Sequence, residues 1–116
     1  MLIRIFAAAA LAAPSAVYSQ AKPAAFAKCA ACHAVNKGGR HGIGPNLHGV
    51  ATRKAGGAIG YAYSPVLRKA GMPWTRQALD RYIANPNAVA PGGKMPTVPT
   101  TPAERQEIVA FLTGLK

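Results

Sequence analysis

Residues 29–33 read Cys29-Ala30-Ala31-Cys32-His33, and the glycine-rich stretch beyond them contains Gly44-Pro45-Asn46-Leu47-His48-Gly49, with Pro45 twelve positions past His33. Placed on a helix, Cys29, Cys32 and His33 stand at i, i+3 and i+4, so two sulfurs and an imidazole project from one face. Such a face suits a flat iron macrocycle. Cys-x-x-Cys-His reads as a c-type haem attachment site, in which each thiol forms a thioether to a haem vinyl group and the neighbouring imidazole becomes the proximal iron ligand.

Three other chemistries use the same letters. A thioredoxin-type Cys-x-x-Cys wants a βαβ pattern around it, and nothing flanking residues 29–32 alternates like a strand. A structural zinc site needs a fourth ligand, for which His41 or His48 is available, but it leaves Met95 and the Trp74 region without a role. A plain disulfide between cysteines three apart closes a very small loop and stabilises little. Haem attachment accounts for most.

Upstream, Arg4 supplies a positive start, Ile5 to Ala13 form an apolar run, and Val17-Tyr18-Ser19 places small residues where a signal peptidase reads, the pattern of a secretory leader over residues 1–19. Cleavage after Ser19 or after Ala21 both fit. A spanning helix needs roughly 20 apolar residues, so no integral membrane span is expected. The remaining residues, 20–116, have the length of one small domain. A domain that short buries only about 60 to 70% of its unfolded surface and gains from a cofactor that fills its centre.

The whole chain carries fourteen Lys and Arg against Asp80, Glu104 and Glu107, a formal charge of +11. Removal of the leader takes away only Arg4. Such a field attracts acidic partners at low salt and is screened over about 10 Å at 0.1 M. Basic residues occur singly or in pairs such as Arg53-Lys54 and Arg68-Lys69, with no interleaved aromatic platform, which argues against nucleic acid.

Local pattern predicts a first helix from about Lys22 to Ala34, with Phe26, Cys29, Ala30 and His33 on one stripe. Residues 35–62 hold eight glycines and no periodicity, so they form a long loop of the kind that is functional or wrapped around something. Within it a Pro45 carbonyl could take the second ring N–H of a metal-bound His33, though an ordinary turn fits the spacing as well. His48 reads as a loop histidine and His41 as a solvated one. A short helix is expected over Pro65 to Ala70, capped by Ser64 and stopped at Gly71, and another from the Thr75 cap to Ala84, with Leu79, Tyr82 and Ile83 inward. Trp74 reads as core, and a haem propionate would suit its indole N–H as acceptor.

From Val89 to Thr101 three prolines hold the chain stiff around Met95, which makes a thioether ligand on the far side of an iron a candidate role; Met72 is its rival and suits packing better. Thr101-Pro102-Ala103-Glu104 is a capping box, followed by Ile108, Phe111, Leu112 and Leu115 on one stripe. That stripe must pack on the Phe26 face, so the two ends of the domain should cross.

In order and spacing, Cys-Ala-Ala-Cys-His, Gly-Pro-Asn-Leu-His-Gly, Tyr-Ser-Pro, Met-Pro-Trp-Thr, Leu-Asp-Arg-Tyr-Ile and Pro-Gly-Gly-Lys-Met together resemble the class I c-type cytochromes, the small soluble mitochondrial and purple-bacterial kind. The resemblance implies an all-α cytochrome c fold, with terminal helices crossing and short middle helices and long loops around one haem. It implies haem c held covalently through Cys29 and Cys32, axial ligation by His33 and Met95, and a Pro45 carbonyl behind the His33 ring. Arg53, Tyr63 and Trp74 match residues that hold a buried propionate, and Tyr82 matches the tyrosine near the methionine sulfur. Gly93 and Thr97 depart from the pattern, where the family has a threonine and a haem-shielding aromatic.

The same resemblance implies a periplasmic one-electron shuttle, not an enzyme, because filled axial positions leave no room for a substrate. Its expected partners are acidic-faced oxidases, reductases or dehydrogenases, engaged transiently and salt-sensitively by a monomer through lysines such as Lys28 and Lys94 at the haem edge. Two other functions use the same residues: the electron-accepting subunit of one periplasmic dehydrogenase, or a ligand-binding haem enzyme or sensor in which Met95 does not ligate.

Overall fold

The structure is a computed structural model that describes residues 21–116. The leader expected over residues 1–19 lies outside the described residues. A single 3-10 turn, Ala24–Phe26, leads into α1, Ala27–Ala30. Then come a long loop with one 3-10 turn at Val50–Thr52, α2 (Pro65–Ala70), α3 (Arg76–Ala84), α4 (Pro86–Val89) and α5 (Pro102–Gly114). Among the described residues there is no strand, only one isolated antiparallel bridge between Lys54 and Pro73. The fold is the all-α one expected.

Capping chemistry sets the helix boundaries. Ser64 accepts the Leu67 N–H and Thr75 the Ala78 N–H, each satisfying a donor orphaned at a helix start. Gly71 ends α2 at φ 52, a left-handed position that glycine takes without steric cost. At α5 the capping box is complete: the Thr101 hydroxyl accepts the Glu104 N–H at 3.2 Å, and the Glu104 carboxylate accepts the Thr101 N–H at 3.0 Å.

Two helix boundaries differ from the sequence expectation. The first helix stops at Ala30, four residues short of Ala34, and Ala30 itself is exposed. The segment after it bonds to the loop instead of continuing the helix. Cys32 and His33 both donate to the Cys29 oxygen, but the Cys32 carbonyl accepts from Gly44 at 2.8 Å, Ala34 from Leu47 at 2.8 Å, and Val35 from His48 Nδ1 at 3.1 Å. Cys29 thus closes a tightened last turn, and the loop folded against the following residues takes carbonyls that would serve amides beyond Ala34. The second difference is α4, one turn with Pro86 in its first position, where the expectation ended all helix at Asn85-Pro86. A single turn has no period to read.

Packing joins the ends. α5 lies on α3, on the Ala24–Phe26 turn and on the Val50–Thr52 turn. Phe26 and Ile108 are 0% exposed, and the Phe26 and Phe111 rings meet edge to face with centroids 5.1 Å apart. Such a pair contributes about 0.5 to 1.5 kcal/mol beyond its buried area. The crossing expected from the two apolar stripes is present, with Val109 buried beside them.

One ion pair pins this crossing. The Lys28 amine reaches the Glu104 carboxylate at 3.0 Å and the Pro99 carbonyl at 3.0 Å. The Thr101 N–H, then Lys28, hold the Glu104 carboxyl below its ordinary value of 4.5. The folded chain therefore gives up this proton more readily than the unfolded chain, so the contribution is complete above pH 4.5 and is lost as pH falls through the lower folded value. Denaturation of wild type and Glu104→Gln is expected to differ at pH 7, with wild type the more stable, and the difference is expected to close below pH 4.5.

Candidate haem site

The end of α1 delivers Cys29, and the turn after it delivers Cys32 and His33, into one cavity of about 300 Å³. Its other walls come from the loop, the stretches around α2 and α3, the proline-rich segment and α5. The loop gives Pro45, Leu47 and Arg53; the stretch around α2 gives Tyr63 and Leu67; Trp74 and α3 give Leu79, Tyr82 and Ile83; the proline-rich segment gives Lys94, Met95 and Val98; α5 gives Ile108 and Leu112. All nine site residues expected from the sequence thus line a single cavity. It is an apolar interior reached by a few polar groups, as prosthetic-group sites are.

His33 is the most constrained of them. Its Nδ1 lies 2.7 Å from the Pro45 carbonyl, and since a carbonyl only accepts, Nδ1 carries the proton and Nε2 is left with its lone pair. Burial lowers the ring's proton affinity, Arg53 lowers it further, and the Pro45 bond opposes both. The neutral imidazole with a free Nε2 is the form that binds iron. Glycine at position 44 permits this approach, because a Cβ there would lie 2.7 Å from His33 Nδ1 and 2.8 Å from Nε2.

Arg53 is held from behind. Its Nη2 donates to the Asn46 carbonyl at 2.6 Å and Nη1 to the His48 carbonyl at 3.3 Å, while Nε is buried with no partner in the protein. A buried guanidinium N–H without an acceptor is costly, and a carboxylate entering the cavity would satisfy it. That orphan fits the haem propionate which the resemblance implies beside Arg53. Tyr63 accepts the Ala58 N–H at 3.0 Å and packs edge-on to Tyr61 at 4.8 Å, and Trp74 leans on Tyr82 at 5.1 Å. Burial, then Tyr61 and Tyr63, push the Tyr82 hydroxyl up, so it stays a protonated donor. Burial also pushes the Cys29 thiol up.

Three placements alter the expectations. His41 is half-buried and engaged rather than free in solvent: Nε2 donates to the Ile59 carbonyl at 2.8 Å, and Nδ1 accepts the Asn46 N–H at 2.9 Å, so it clamps two parts of the loop together. Lys28 and Lys94 do line the cavity mouth, but Lys28 is paired with Glu104 and Lys94 donates to the Ala62 carbonyl at 2.8 Å. Asn46 stands outside the expected site residues, yet it is 6% exposed and central: its side chain donates to Asn36 and accepts from His48, and its carbonyl holds Arg53. Only its place beside Pro45 in the sequence hints at this.

An all-helical domain wrapped on one apolar cavity, with paired cysteines and a histidine on its wall, defines a covalent haem protein of the cytochrome type. Comparison with known proteins agrees: the Cytochrome c family model matches residues 18–116, and the chain belongs to that family. Among its relatives is a cytochrome c2 of Rhodoblastus acidophilus, 45% identical over 93 residues that cover 78% of this chain and 86% of the relative. Another is a cytochrome c2 iso-2 of Magnetospirillum fulvum, 40% identical, covering 80% of this chain and 97% of the relative. The solved structure of cytochrome cH from Methylobacterium extorquens superposes with a TM-score of 0.69 at 41% identity, covering 77% of this chain and 90% of that one. The family binds haem c covalently, and the two cysteines of this chain have the spacing for it.

Gly44→Ala should push the His33 ring off the Pro45 carbonyl. Overpacking of this kind costs about 1 to 3 kcal/mol, and chemical denaturation of the haem-loaded variant measures it.

Proposed function

We propose that the chain is a periplasmic one-electron carrier whose haem c is attached at Cys29 and Cys32 and ligated by His33 and Met95. The observation that carries this reading is the meeting of Cys29, Cys32, His33 and Met95 on the wall of one apolar cavity, with His33 Nδ1 already committed to Pro45. When bound, haem c supplies a one-electron iron couple.

The chain's own residues do the rest. His33 presents Nε2 in a fixed orientation, because its other nitrogen is tied to backbone. Met95 is held by the prolines on either side of its segment, Pro91 and Pro96, and presents a neutral thioether, which favours the reduced metal over what a second nitrogen ligand would. Leu67, Leu79, Ile83, Ile108 and Leu112 exclude water from the cavity. Arg53 offers its unpaired Nε to a propionate, and Tyr63 and Trp74 close the same side. Were His33 and Met95 both to ligate the iron, no open coordination position would be left for a substrate, which supports a role in transfer and not in catalysis. No helix among the described residues is long and apolar enough to cross a membrane, which suits a carrier moving between partners.

Absorption spectroscopy tests the ligand set. The oxidised protein is expected to show the weak red-edge band of a sulfur-to-iron charge transfer, lost in Met95→Ala, and reduced wild type is expected to bind no carbon monoxide while the variant does. Ready binding by wild type would overturn methionine ligation and favour a ligand-binding role.

A further inference from the structure

Two main-chain carbonyls seat the Arg53 guanidinium: Nη2 donates to the Asn46 oxygen at 2.6 Å and Nη1 to the His48 oxygen at 3.3 Å. A guanidinium is planar and rigid, so two fixed acceptors on its Nη groups also set the direction of the Nε–H. That third group is the buried one without a partner in the protein, and Arg53 lines the haem cavity.

The side chain of Asn46 fixes the two acceptors relative to each other. Its Oδ1 accepts the His48 N–H at 2.8 Å, closing an Asx turn over residues 46–48 that ties together the residues whose carbonyls hold Arg53. The turn is anchored from behind, since Nδ2 donates to the Asn36 carbonyl at 2.9 Å and the Asn46 N–H donates to His41 Nδ1 at 2.9 Å. At 6% exposure, Asn46 thus has both side-chain atoms and both main-chain groups engaged. A side chain that filled the same space without an acceptor would leave the His48 N–H short of a partner and the turn free to open. Asn46 itself is not on the cavity wall, so any effect it has on a haem passes through its neighbours.

We infer that the Asn46 side chain is a positioning residue for the haem potential: it holds the Asn46 and His48 carbonyls in register, and these aim Arg53 Nε at a haem propionate. The inference rests on the carrier reading above. A cation held inside the protein favours the reduced iron, the state with one positive charge fewer, and salt screens it little there. A guanidinium released from its two carbonyls can turn toward solvent, which weakens that effect and leaves the propionate's charge uncompensated. Both changes favour the oxidised iron.

The test uses the haem-loaded protein, with the midpoint potential measured by redox titration and exchange of the Arg53 Nε–H followed by NMR in the reduced state. Wild type should show a slowly exchanging Nε–H, and a freely exchanging one overturns the inference without any variant. Arg53→Gln sets the scale, lowering the potential by removal of the cation. Asn46→Ala should lower it in the same direction and speed Nε–H exchange about tenfold, the worth of one hydrogen bond. Asn46→Ser offers the His48 N–H an acceptor again and should restore most of both readouts. Added to Arg53→Gln, Asn46→Ala should lower the potential no further, because the two act on one path. An alanine variant that loses stability but keeps the wild-type potential and exchange overturns the inference. So does a serine variant that falls as far as alanine, or a double variant that falls further than Arg53→Gln. Each of these leaves the carrier reading standing. Reduced wild type that readily binds carbon monoxide overturns that reading, and this inference with it.

Discussion

The hydrogen bond from His33 Nδ1 to the Pro45 carbonyl, 2.7 Å long, fixes more of this molecule than any other contact. It requires the loop to fold back on the end of α1, and the loop does so by taking the carbonyls of Cys32, Ala34 and Val35. That capture holds the segment after α1 against the loop, with His33 facing Pro45. Asn46, next to Pro45, then organises the second half of the arrangement, accepting Arg53 on its carbonyl and reaching Asn36 and His41 besides. One backbone segment thus sets both the orientation of the imidazole and the position of the guanidinium.

Core and cavity wall are largely the same residues. Leu67, Trp74, Leu79, Ile83, Ile108 and Leu112 belong to the buried cluster and also face the cavity. A domain of this length has little apolar material to spare, and these side chains have their full packing partners only with a prosthetic group among them. Stability and function are therefore coupled: the contacts that exclude water from an iron are those that hold α3 and α5 to the rest. The ion pair of Lys28 with Glu104 lies at the junction of α1 and α5, which ties a residue at the cavity mouth to the closing of the ends.

Local signals carry well from sequence to structure. Ser64, Thr75 and the Thr101–Glu104 capping box mark helix starts because the side chain that satisfies an orphaned N–H is itself a letter in the sequence. The Phe26–Phe111 contact is legible because two apolar stripes at opposite ends have nowhere else to bury. The early end of α1 is not, since nothing in residues 31–34 disfavours helix; the loop groups that bond the segment after it, on Gly44, Leu47 and His48, stand ten or more positions away. His41 misleads for the same reason, its partners being Ile59 and a backbone amide of a folded loop. For the site, the nine residues expected from motif and resemblance all reach one cavity, while Asn46 works through both its side-chain amide and its main chain, on partners that only the folded loop brings to it. The engaged state of Lys28 and Lys94 likewise depends on acceptors far along the chain.

A haem-centred fold of this kind stands on two sulfur–carbon bonds joining the polypeptide to an iron porphyrin at Cys29 and Cys32. Mass measurement of the mature, acid-denatured protein, paired with in-gel detection of haem peroxidase activity, tests those bonds most directly. One haem per chain is expected to survive denaturation, with no free thiol available to an alkylating reagent. A colourless chain at the bare polypeptide mass, with both cysteines alkylated, would contradict covalent attachment and the electron-carrying role built on it.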